Sequence, residues 1–419
     1  MGDDTTRLRL DGHTVEALLA PVGPGDDEAA AGWPGTPTTR QPVQVLYVPA
    51  DRVHAGLVTD LGREARRLLA THAPDAATFA EAMGIGDETL AARVRDRVAA
   101  KLEREPVEDL RIDVEDGYLG RDAGTEAREV TAAARAVAAM VRDGSRPPFV
   151  GLRVKSFTDR LAARSVASLD RFVGTLVDEL GTVPDGVVIT FPKIVSVRHV
   201  AAFVEVLGAL EDALDLPART LRFEAQIETT ASVLGADGRV VLRDIRAAGD
   251  GRLVAAHLGV YDLTAGLGLP PAEQRLEHPA CDHIRHLLQV TFAGTEVRLS
   301  DGSVNAVPAA DTAAEHARVW ARHAATVRHS LAHGYVQGWD LHVSHLVSRY
   351  ATVYAHLLAG LDDVERRLTA WETGAAADGL LDEPATIRRL TAQLRQAVAC
   401  GARDPAALDP TVERLLHAG

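Results

Sequence analysis

Eight short apolar runs, most of them followed by a helical stretch, constrain this 419-residue chain more than any other feature. They are VQVLYVPA (43–50), DLRIDVEDG (109–117), PFVGLRVKSF (148–157) and DGVVITFPKI (185–194), then RTLRFEAQIET (219–229), RLVAAHLGVYD (252–262), DGSVNAVPAAD (301–311) and GYVQGWDLHVS (334–344). Runs this short and this continuously apolar read as strands buried on both faces, which is the condition of a parallel sheet. Ala-, Arg- and Leu-rich helical sequence separates them at 54–104, 124–142, 165–180, 196–214, 279–293 and 312–333. Alternation of strand and helix predicts an α/β fold, and eight units predict closure into a (β/α)8 TIM barrel. An open doubly wound sheet is the alternative. It loses its main support because no G-x-G-x-x-G follows the first run and no Walker A motif is present.

The polar, Gly- and Pro-rich residues 1–40 read as an N-terminal arm with one short helix at 14–19. Residues 41–346 hold the barrel, and 347–419 read as a C-terminal helical extension. A net charge of −14 and no basic stripe argue against nucleic acid as a partner. No window has the apolar length of a membrane span, and no signal-like apolar segment opens the chain, so a cytoplasmic protein is expected. Cys281 and Cys400 have no ligand-like spacing and read as free thiols. Only Lys101, Lys155 and Lys193 are lysines among 45 basic residues. In so Arg-biased a chain, a retained lysine hints that a compact ammonium is wanted.

Parallel barrels carry their chemistry at the carboxyl ends of the strands. Here those ends hold Asp113, Glu115 and Asp116, then Arg153 and Lys155, Lys193, Gln226 and Glu228, Tyr261 and Asp262, and finally His342, Ser344 and His345. Charged residues in apolar strands are costly unless paired or metal-bound. Glu228 and Asp262, on successive strands, form an oxygen donor pair suited to Mg2+ or Mn2+. Asp113, Glu115 and Asp116 are placed to support such an ion through water. Arg153 is placed to clamp a carboxylate or enolate oxygen bidentately. A salt-bridged barrel rim is the plainer reading of the same acids. For Lys155 and Lys193, internal ion pairs and substrate contact are both open, as are a rim role and a substrate role for His342. His329 and His333, four apart, read as a solvated helix face.

Seven stretches in order resemble the HpcH/HpaI aldolase and citrate lyase β-subunit family of the phosphoenolpyruvate/pyruvate barrel superfamily. They are VLYVPADR (45–52), IDVEDG (112–117), GLRVKS (151–156), FPKI (191–194), QIETTASVLG (226–235), LGVYDLTAGLG (258–268) and GWDLHVSHL (338–346). The resemblance implies a Mg2+-dependent lyase that makes or breaks a carbon–carbon bond next to an enolate of a 2-oxo acid or acyl-CoA. It implies Glu228 and Asp262 as metal ligands, Arg153 as the substrate arginine, and Glu115 and Asp116 as an acidic pair near the metal waters. It also implies a trimer or hexamer, with the C-terminal segment covering a neighbour's site. Lys155, Tyr261 and Val343 depart from the family pattern, so the chain reads as a divergent member whose substrate contacts add Lys155, Lys193, Tyr261 and His342. Three other readings remain at this stage: phosphoenolpyruvate-related phosphotransfer or hydrolysis, a Schiff-base aldolase using Lys193 or Lys155, and a non-catalytic metabolite-binding barrel.

Overall fold

Eight parallel strands close into one barrel: β1 (Gln44–Pro49), β2 (Asp109–Asp113), β3 (Phe149–Arg153), β4 (Val188–Phe191), β5 (Arg222–Ile227), β6 (Leu253–Leu258), β7 (Arg298–Ser303) and β8 (Gln337–Asp340). Each strand pairs with the next, and β8 returns to β1 with Val45 opposite Trp339 and Leu46 opposite Asp340. The computed structural model describes the chain except residues 1–10, 21, 23, 24, 26–28, 30, 31, 36, 375–382, 418 and 419.

The helices are α1 (Gly12–Leu19), α2 (Leu57–His72), α3 (Ala76–Met83), α4 (Glu88–Arg104), α5 (Ala123–Asp143), α6 (Ala162–Leu180), α7 (Val197–Ala213), α8 (Leu242–Ala248), α9 (Val260–Gly266), α10 (Pro279–Phe292), α11 (Ala313–Ala332), α12 (Val343–Leu358), α13 (Leu361–Thr373), α14 (Pro384–Ala399) and α15 (Pro410–His417). Local chemistry explains many of their starts. Asp11, Asp75, Asp87 and Asp122 each accept backbone N–H groups at a helix N-terminus, satisfying donors that have no partner inside the helix. Outward-facing strand residues such as Leu110, Ile112, Leu152 and Ile189 are buried beneath the helices.

Three expectations shift. The seventh strand is Arg298–Ser303, not 301–311. Its signal is weak because Asp301 turns to the α10 arginine Arg285 (Nε–Oδ2 2.8 Å) instead of presenting an apolar side chain there. Its register to β8 also breaks between Ser300 and Ser303. The sixth strand stops at Leu258, and Asp262 lies in the first turn of α9. Finally, α12 runs through the expected boundary at 346/347 and packs on α4 and β1, as the helix that completes the eighth unit.

The barrel interior is polar. Arg111 donates to Asp109 Oδ2 at 2.8 Å and lies 3.4 Å from Glu224 Oε2. Trp339 Nε1–H donates to His257 Nδ1 at 2.7 Å, which leaves the imidazole proton on Nε2, 2.9 Å from Glu224 Oε2. Space for the Arg111 guanidinium comes from Gly151 on β3, where any Cβ would fall on the Val188 carbonyl oxygen of β4 and on Arg111 Nη1. Since backbone cannot give way as a side chain can, Gly151→Ala should cost about 3 kcal/mol or more. Urea unfolding measures this; a midpoint within error of the parent would contradict the packing.

Candidate functional site

Asp113, the last residue of β2, organises the mouth of the barrel. Its carboxylate takes both Nε (2.7 Å) and Nη2 (2.6 Å) of Arg153, from the end of β3. The same two oxygens accept the backbone N–H groups of Glu115 (2.9 Å) and Gly117 (2.8 Å). One buried carboxylate thus fixes an arginine and folds the following loop over it. Arg153 is buried and sits 5.0 Å from the Tyr47 ring centroid. The expected bidentate clamp on a substrate is therefore corrected: Asp113 occupies that fork, and Nη1 is the edge left toward Glu115 (3.4 Å) and Asp116 (3.5 Å).

The loop brings Glu115 and Asp116 to Lys193. Lys193 Nζ donates to both carboxylates, at 2.6 Å for Asp116, and stands 3.7 Å from Asp262 Oδ2. Its backbone is left-handed (φ 49°), and its own N–H donates to Glu228 Oε1 at 2.7 Å. That conformation is unusual for a side chain as large as lysine; here it lets one residue serve a backbone donor to one acid and an ammonium to three others.

Glu228 follows β5 and is 2% exposed. Burial, and then the charge of Asp262, push its pKa up to about 8. Gly259 makes room for it, since a Cβ there would collide with the Glu228 side chain. Asp262 is half-buried, and burial raises its pKa as well. Burial also lifts Glu115 to about 7, while its hydrogen-bonded neighbour Asp116 is held low despite burial. Tyr261 is pinned across the mouth: its hydroxyl oxygen accepts the Asn305 N–H at 2.9 Å.

A cavity of ≈ 450 Å³ opens here, lined among others by Asp116, Arg153, Glu228, Tyr261 and Asp262. Three expected substrate contacts do not line it: Lys193, whose ammonium is turned to Glu115 and Asp116, Lys155 and His342. Lys155 follows the end of β3 and turns away, donating to the Val114 carbonyl and pairing with Glu126 of α5 (3.3 Å). Strand alternation no longer holds beyond Arg153, which is why the two-residue spacing misleads. His342 caps α12 by accepting the Ser344 N–H at 3.1 Å, and burial lowers its pKa to about 4. Sequence reasoning missed Arg52, Trp339 and Ser303 as lining residues. Only Arg52 had a signal, directly after the first apolar run. The helix face His329–His333 is not simply solvated: Asp282 of α10 lies 2.8 Å from His329 Nε2 and 3.7 Å from His333 Nε2. Two further His–Asp groups, His72–Asp311–His316 and His323–Asp340–His345, also lie outside the cavity.

Fold and site together define a (β/α)8 barrel with a ring of acids and cations at its carboxyl mouth. Residues 22–414 match the family model described as "Domain of unknown function (DUF6986)", and the chain belongs to that family. No curated protein matches it. Among solved structures, the Haloferax volcanii malate synthase magnesium/glyoxylate complex is similar at a TM-score of 0.50 and 16% identity, over 90% of this chain and 98% of that one. The lead(II) complex of that enzyme gives 0.50 and 13%, over 86% and 90%. An HpcH/HpaI aldolase/citrate lyase family protein from Burkholderia cenocepacia J2315 gives 0.40 and 15%, over 77% and 95%. At these identities the likeness is one of fold. No helix among the described residues is long and apolar enough to cross a membrane.

Glu228 sets a pH dependence for the metal-free protein. Its pKa rises from 4.5 in the unfolded chain to about 8 in the fold. A raised acid contributes fully below the unfolded value and loses that contribution as pH climbs toward the folded one. Glu228→Gln should therefore gain stability over the parent between pH 5 and pH 8, by about 1 kcal/mol or more. Urea titrations in chelator at the two pH values measure this, and an equal difference at both would contradict it.

Proposed function

We propose that the protein is a metal-dependent enzyme of carbon–carbon bond chemistry, acting through an enolate of a 2-oxo acid or acyl-CoA. The observation that carries this reading is Glu228. It is an almost fully buried carboxylate facing a second acid across one cavity, with a single backbone N–H as its hydrogen-bond partner. Such a group is costly to ionise without a cation beside it. The acids lining the cavity offer oxygen ligands, with no histidine or cysteine among them, which suits Mg2+ or Mn2+. Glu228 and Asp262 would hold the ion, which when bound polarises a substrate carbonyl.

The protein's own groups supply the rest. Arg153 Nη1 points to the acids at the mouth, where it can donate to an oxygen that gains negative charge. Asp113 holds the guanidinium in place, so little reorientation is needed as that charge develops. Glu115, raised to about 7, is poised to take or return a proton near neutrality. Lys193 is held protonated by Glu115 and Asp116. A Schiff-base lysine must instead lose its proton, and Lys155 is engaged with Glu126 away from the cavity. Both placements favour the metal reading over the lysine one.

Glu228→Ala and Asp262→Ala should each abolish Mn2+ binding, read by calorimetry, while circular dichroism stays that of the parent. Parent-like binding in either variant would sink the assignment. In a metal-supplemented screen of glyoxylate, pyruvate and acyl-CoAs, turnover should require the metal. Arg153→Lys, which keeps the charge but loses the fork to Asp113, should lower kcat/KM by about 100-fold, or ~3 kcal/mol. Turnover that survives chelation and is trapped by borohydride would replace this reading with the lysine one. Size-exclusion with light scattering checks the expected trimer or hexamer.

A further inference from the structure

A second cavity of ≈ 450 Å³ lies at the opposite end of the barrel, where the chain enters the strands. The segment before β1, the loops ahead of β7 and β8, and helices α12 and α14 bound it. Three arginines line it, Arg298, Arg389 and Arg395, and no aspartate or glutamate does. In a chain of net charge −14, a concave surface of one positive sign departs from the average, and walls of low dielectric concentrate its field.

The arginines are not explained by pairing within the fold. Arg298 Nη1 donates to the Arg40 carbonyl (2.7 Å) and Nη2 to the Thr39 carbonyl (2.6 Å). Burial pushes its pKa down with no acid to offset it. Arg395 Nη2 donates to the Leu416 carbonyl at 3.0 Å. Neither they nor Arg389 forms an ion pair with a described residue. The fully buried arginines are matched by acids: Arg153 with Asp113, Arg252 with Glu211 and Arg349 with Asp340. Of the cavity's three, Arg298 and Arg395 are half-buried and Arg389 is exposed; Arg298 is the one desolvated without a counter-charge, a cost that a bound anion removes. The remaining lining is mixed. Gln41, Gln289 and Gln393 present amides, while Phe292, Val336 and Leu357 present apolar surface. A few polar groups on an apolar wall, in this volume range, are the make-up of a small-molecule site.

We propose that this cavity binds a small organic anion bearing phosphate or carboxylate groups. The charge rests on Arg298, Arg389 and Arg395, and the organic body lies against Phe292, Val336 and Leu357. The site shares no lining residue with the cavity at the carboxyl mouth, so the inference does not depend on the reaction proposed there. Calorimetry on the full chain in low salt, with ATP and citrate as probes, tests it and separates the two anion types.

At least one probe should bind saturably, one per chain. Arg389→Glu, an exposed position whose change leaves the fold intact, should weaken binding by about tenfold or more, equal to ~1.4 kcal/mol. The pair Arg389→Glu/Arg395→Glu should remove it, whereas Asp262→Ala at the other end should leave it unchanged. Failure of both probes to saturate by about 5 mM, which is weaker than millimolar affinity, overturns the proposal. Parent-like affinity in the double variant, or loss of binding in Asp262→Ala, overturns it equally.

Discussion

The mouth of the barrel depends on one buried carboxylate. Asp113 spends both oxygens twice, on the guanidinium of Arg153 and on the N–H groups of Glu115 and Gly117. Removing it would leave the Nε and Nη2 of a buried guanidinium and two backbone donors without their acceptors, a heavier loss than the pair itself is worth. The loop so fixed delivers Glu115 and Asp116 to Lys193, and Lys193 in turn presents its N–H to Glu228. The charges at the mouth are therefore one connected network, in which each group's protonation depends on its neighbours.

Inside the barrel a second polar network takes over. Arg111, Asp109, Glu224, His257 and Trp339 fill space that eight strands leave for side chains. Partial satisfaction is costly in low dielectric, so a network of this kind favours one arrangement.

The second cavity, at the opposite end of the barrel, is lined differently. Arg298 and Arg395 there donate to backbone carbonyls, and helix α14 supplies two of the three arginines. The helices after β8 thus do more than lengthen the chain. They wall a cavity that the barrel alone would leave open. Trp33 and Gly35, from the segment before β1, lie against Gly294 at the edge of the same region.

The fold was legible in the residues because burial on both faces imposes continuous apolar runs, and eight such runs leave few closed arrangements. Glu228, Asp262 and Arg153 could be singled out for the same reason, as charges where charge is costly. What failed was what depends on direction. Lys155 shares a strand face with Arg153 by count, yet the strand ends between them and the lysine turns to Glu126. Arg153 looked free to grip a ligand with its fork, but its chief partner lies forty residues earlier, at Asp113. Asp262 belongs to a helix turn, and β7 begins before its apolar signal does. Local sequence determined which segments are strands and which residues would be expensive to bury. Tertiary structure alone decided which charges meet, because pairing across a barrel is set by register and by where each strand stops.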